Sequence, residues 1–97
     1  MSSTIEPGVN KTVVEQAMRH INHHGGIYED WYVGIEEEGS DRDDTSNRQL
    51  IRYETASEDE AKLTMSWLLG LGFMADDEYG AEPTILFVYT NKKVQQD

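Results

Sequence analysis

Apolar residues fall in five blocks along the chain, and their spacing predicts the order helix, strand, strand, helix, strand. In the first block Val14, Ala17, Met18 and Ile21 recur three and four residues apart, which puts them on one face of a helix. Asn10 or Thr12 can cap its start, and Thr12 with Glu15 fits a capping box. His20, His23 and His24 occupy the last turn, where positive charge suits the helix dipole, and Gly25-Gly26 ends it. From Ile27 to Ile35 the period changes to two: Trp31, Val33 and Ile35 alternate with Tyr32 and Gly34, the signature of a strand. Gly34 inside that strand implies a bulge or a close approach by another group.

Residues 36–47 hold no apolar anchor and read as an acidic loop. A second strand is expected over residues 48–55, with Leu50 and Ile51 on opposite faces. Ser57-Glu58-Asp59-Glu60 is a capping box with three acids in the first turn, opening a helix that runs to about Gly70 or Leu71. Gly72 should cap it, with Phe73 folding back on the last turn. Residues 75–83 read as a second acidic loop, and 84–90 as a central strand, apolar on both faces. The expected fold class is α+β: a three-stranded, at least partly antiparallel sheet with helices packed on it. One domain spans residues 1–97, with a flexible arm at 1–8 and a flexible tail at 92–97.

The second helix carries more apolar surface than one core face requires. Ala61, Met65, Leu68 and Gly72 form one stripe. Leu63, Trp67 and Leu71 form another, rotated well away from the first, so the helix is either wedged between layers or presents a patch to a partner or a second copy of the chain.

Composition narrows the classes of partner. Nineteen acids against eight bases give a net charge of −11, which repels phosphate and argues against direct binding to nucleic acid. The acids cluster at Glu36, Glu37 and Glu38, at Asp41, Asp43 and Asp44, at Glu58-Asp59-Glu60, and at Asp76, Asp77 and Glu78. The helix-start group has a local reason in capping; the loop groups are candidate contacts for a protein partner with a basic surface. The chain has no cysteine, no signal-peptide pattern and no apolar run near the ~20 residues of a membrane helix, so a cytoplasmic protein without membrane association is expected.

Little in the chain points to catalysis or a cofactor. His20 and His24, four apart on one helix side, are the only metal candidates, and no third ligand is marked by spacing. Asp41, Asp43, Asp44 and Asn47 lack the glycine and the final acid of a calcium loop, whose positions hold Ser46 and Arg52. No nucleophile turn or phosphate-cradling glycine loop is present.

Tyr32-Val33-Gly34 on a strand, followed by Arg42, resembles the second half of the GIY-YIG nuclease signature. The resemblance covers residues 31–90. It implies a metal-dependent phosphodiesterase domain, with Tyr32 activating water and Arg42 steadying phosphate. Gly26-Ile27-Tyr28 spells the first half of the signature but ends only three residues before Tyr32, too close for two strands and their turn. The resemblance implies a metal-binding glutamate in the middle of the second helix, near where this chain has Met65, and a thioether is a poor magnesium ligand. The leading expectation is therefore a non-catalytic acidic interaction domain, one form of which is a charge-mimicking inhibitor of a nucleic-acid-binding protein. The alternative is a divergent phosphodiesterase.

Overall fold

The computed structural model describes residues 8–40 and 48–90. The expected arm and tail, along with Asp41, Arg42, Asp43, Asp44 and Asn47, lie outside the described residues, apart from Gly8 at the arm's end. The chain runs α1 (Lys11–His24), a short 3-10 turn (Tyr28–Asp30), β1 (Trp31–Glu36), β2 (Arg48–Glu54), α2 (Glu58–Leu71), β3 (Met74–Tyr79) and β4 (Ile85–Thr90).

The α+β class holds, but the sheet has four strands rather than three, in the order β2-β4-β1-β3. β4 runs antiparallel to both of its neighbours, β1 and β2, while β3 lies parallel to β1 at one edge. β4 is thus an interior strand, which accounts for its apolar residues on both faces. The additional strand, β3, occupies residues expected to be loop. Its sequence Met-Ala-Asp-Asp-Glu-Tyr has no buried alternating face, and it is held instead by backbone pairing to β1.

Both helices pack on one side of the sheet. Val13, Val14, Ala17 and Ile21 of α1 share a core with Ala61, Met65 and Leu68 of α2, and with Trp31, Val33, Ile35, Leu86 and Val88 beneath them. Strand alternation sends Tyr32, Gly34 and Glu36 of β1 to the opposite face, along with Ile85, Phe87 and Tyr89 of β4. No helix covers that face among the described residues.

Local chemistry sets the element ends. Asn10, not Thr12, caps α1: its side chain accepts from the Val13 amide at 3.1 Å. Ser57 Oγ accepts from the Glu60 amide at 3.1 Å, as the capping box requires. The Glu60 carboxylate does not complete that box. It accepts from the Ala56 amide at 2.8 Å and from Asn10 Nδ2 at 3.2 Å, while the Asn10 amide donates to Thr64 Oγ1 at 2.9 Å. The starts of the two helices are therefore tied together. Gly72, at φ 121°, ends α2 with bonds back to Leu68 and Leu69, and Phe73 is buried against the Tyr28 ring.

Gly34 answers to both readings of a strand glycine. The β1–β3 register shifts between Val33 and Ile35, and the Phe87 ring lies directly over Gly34.

Candidate functional site

The second apolar stripe of α2 stands out from the core. Leu63 is 40 % and Leu71 36 % exposed, while Trp67 is half-buried against the core. With Ser66 and Gly70 they line a shallow cavity of about 280 Å³. The spacing i, i+4, i+8 aligns the three side chains into a ridge along the helix. Thr64, Met65 and Leu68 take the inward positions, so the burial of the first stripe leaves the second one outward. At one end Gly8 packs on Leu63, where an added Cβ would come within 2.6 Å of Cδ1. No described helix is long and apolar enough to cross a membrane.

The acidic candidates divide into two groups. Glu36 is not a solvated loop acid: it ends β1, is buried, and accepts from Arg52 Nε at 2.6 Å. Burying a carboxylate requires such a charged donor. Glu37 receives the Ala81 amide at 3.2 Å and so joins the loop after β1 to the loop after β3. Asp76 accepts two phenols, Tyr89 at 2.5 Å and Tyr79 at 3.0 Å. These three acids have structural work within the fold. Glu38, Asp77 and Glu78 are exposed and remain available for contact. A cavity of about 390 Å³ opens beside Glu36, Glu37, Glu38 and Glu54.

Tyr32 lies on the sheet face opposite α1 and α2 and stacks on Tyr89, with ring centroids 5.3 Å apart. Met65, the position where the nuclease resemblance implies a metal-binding carboxylate, lies in the core on the other side of the sheet. The two positions do not converge. Gly26-Ile27-Tyr28 forms a loop and the start of the 3-10 turn instead of a strand, so no hairpin precedes Tyr32.

The histidines at the end of α1 form a ring cluster against Trp31: His20 and His24 lie 4.6 Å apart, and His20 and Trp31 5.4 Å apart. His20 Nε2 lies 2.7 Å from the Gln49 carbonyl. A carbonyl only accepts, so Nε2 carries a proton there and is closed to a metal. Burial, then the charges of His20 and His23, hold His24 below the ordinary imidazole range. No group of three or more metal-type ligands forms among the described residues.

One feature of this region had no signal in the sequence. Tyr53 is buried in the core, and its hydroxyl has no hydrogen-bond partner. Burial pushes its pKa up to about 12. A tyrosine in an alternating strand reads as core, and only the packed fold reveals that its hydroxyl is unpaired.

Comparison of the chain with protein-family models, with curated proteins and with solved structures finds no match.

Proposed function

We propose that this chain is a non-catalytic, acidic protein-interaction domain that grips its partner through the Leu63, Trp67 and Leu71 ridge of α2. The observation that carries this reading is the ridge itself. Large apolar side chains aligned on one helix and left in solvent mark contact sites, and tryptophan is a frequent energetic anchor. The exposed acids Glu38, Asp77 and Glu78, within a net charge of −11, favour a partner with a basic surface and speed its encounter. They also disfavour a second copy of the same chain. A nucleic-acid-binding protein, its cleft occupied by these carboxylates in place of phosphates, is one such partner. A phosphodiesterase reading has less support, because Tyr32 and Met65 lie on opposite sides of the sheet.

The test uses substitutions at the exposed ends of the ridge, which leave the core intact. Wild-type and Leu63→Ser/Leu71→Ser chains serve as baits in the native host's extract, followed by mass spectrometry and binding measurements on the captured protein. The expected result is a partner that the variant binds about thirtyfold more weakly, the loss typical of hot-spot removal. Its affinity should also fall with added salt. Equal capture by wild type and a correctly folded variant would remove the ridge from the binding surface. Light scattering on the isolated chain is expected to give a monomer.

A further inference from the structure

On the side of the domain where α1 meets the edge strand β2, a groove of about 380 Å³ is lined by Gln16, Arg19, His20, His23, Ile51 and Tyr53. We propose that this groove is a binding site for a small phosphate-class oxyanion.

Its lining is unlike the rest of the surface. The chain has nineteen acids, yet among the described residues none that lines the groove is a carboxylate. Three of them carry or can take positive charge: Arg19, His20 and His23. Arg19 has no ion pair or hydrogen bond among the described residues, whereas Arg52 and Lys62 each have a carboxylate partner. The Gln16 amide adds a neutral donor.

Tyr53 supplies the second, independent observation. Its hydroxyl is buried without a partner, a state that costs on the order of 1–3 kcal/mol. Buried polar groups are almost always paired, and the residue that carries this orphan lines the groove as well as the acidic cavity beside Glu36. An anion is the acceptor that also answers Arg19 and the imidazoles. Arginine and a phenol are donors suited to phosphate oxygens.

The groove is also organised before anything binds. β2 has an irregular register between Arg48 and Ile51, and Gln49 sits there at φ 53°. Its carbonyl accepts from His20 Nε2, which fixes that ring. Neutral His20 therefore keeps its proton on Nε2 and becomes a donor at Nδ1 only as the cation. Behind it stand His24 and the Trp31 ring, and among the described residues Arg19 and His23 line the groove beside it. Arg19 provides charge at every relevant pH.

The net charge of −11 repels anions at long range, but screening limits this reach to about 8 Å at physiological ionic strength. The repulsion thus keeps extended polyanions away from the protein while a single small anion held by adjacent donors is retained. This site lies apart from the α2 ridge, and its test does not depend on that reading.

The test is a titration of the full chain with inorganic phosphate near pH 6.5 at constant ionic strength, following the histidine ring signals by NMR. Acetate serves as the parallel anion. The expected result is saturable movement of His20 and His23 with phosphate, with a dissociation constant on the order of 1 mM, and no saturation with acetate. Arg19→Gln and Tyr53→Phe should each weaken phosphate binding about tenfold, the loss expected for a hydrogen bond to a charged group. In phosphate-free buffer Tyr53→Phe should melt no lower than wild type, because its hydroxyl has no partner to lose. Unsaturated or absent shifts, equal affinity in Arg19→Gln, or lower stability of Tyr53→Phe in phosphate-free buffer would each overturn the proposal.

Discussion

Replacing Gly34 with alanine tests the packing of the sheet face opposite α1 and α2. A Cβ at this position would lie 2.5 Å from Phe87 Cζ, 3.0 Å from Asp76 Cβ and 3.0 Å from the Asp77 carbonyl. Carbon atoms in ordinary contact sit about 3.5–4.0 Å apart, so the ring must retreat by roughly 1 Å or more. Phe87 is fully buried and flanked by the Tyr79 and Tyr89 rings, so its retreat disturbs both of them. The two other contacts belong to β3, one of them to its backbone, and relieving them means shifting an edge strand. Overpacking of this kind costs about 1–3 kcal/mol, and three simultaneous contacts place it near the upper end. The lower chain entropy of unfolded alanine offsets about 0.5–1 kcal/mol. A net loss of about 2 kcal/mol is expected, or a melting temperature lower by roughly 8–16 °C in a domain of this size. Urea unfolding followed by tryptophan fluorescence measures it. Phe87→Leu in the Gly34→Ala background should cost less than it does in wild type, because it relieves the shortest contact. A Gly34→Ala chain within about 0.5 kcal/mol of wild type would refute the reasoning. The same geometry gives the glycine of Tyr32-Val33-Gly34 a packing role that requires no catalysis.

Two further perturbations read the helix ends. Asn10→Ala removes the α1 cap and the bond to Glu60, and should cost about 1–2 kcal/mol in urea unfolding. Combining it with Glu60→Ala should give less than the sum of the single losses, since the Asn10 side-chain amide and the Glu60 carboxylate share one hydrogen bond; strict additivity would count against the interhelix tie. His24 binds a proton less readily in the folded chain than in the unfolded one, so folding stability falls as pH drops below about 6.5 toward its depressed folded value. Acidification also relieves repulsion among the acids, so the useful quantity is a difference. Wild type should lose more melting temperature than His24→Gln between neutral pH and the lower end of that window, and parallel profiles would contradict the cause assigned to the shift.

Which elements the sequence revealed depended on how they are held. α1, α2, β1 and β4 bury side chains in periodic patterns, and the periods of 3.6 and two are visible in one chain. β3 buries almost none. It is fixed by backbone bonds to β1, supported by the Asp76 carboxylate between two tyrosine hydroxyls, and neither leaves a periodic trace. Asp76-Asp77-Glu78 therefore looks like a loop. The α2 ridge was legible for the opposite reason, because three apolar residues at i, i+4 and i+8 exceed what the buried face can absorb. Tyr53 was invisible as a site, since whether a phenol finds a partner is settled by residues distant in the chain.

The structure changes what the acidity of this chain can mean. Runs such as Glu36-Glu37-Glu38 look uniform in sequence, but strand alternation separates their members. Glu36 falls in phase with Tyr32 and Gly34 and is buried against Arg52, while Glu38 lies beyond the strand in solvent. Asp76 turns inward to two phenols, while Asp77 beside it is exposed. Neutralising an inward acid leaves a donor without its acceptor and acts on stability, whereas neutralising an outward one breaks no such bond and, under the proposed function, would act on encounter with a basic partner. A charge scan of these loops that treated all six acids alike would mix the two effects. Among the described members of these loop clusters, the outward acids without a bond in the fold's interior are Glu38, Asp77 and Glu78, the last of these 3.8 Å from Lys62 of α2. This contact links Glu78 to the helix that bears Leu63, Trp67 and Leu71, so under the proposed function one partner would meet charge and apolar ridge together.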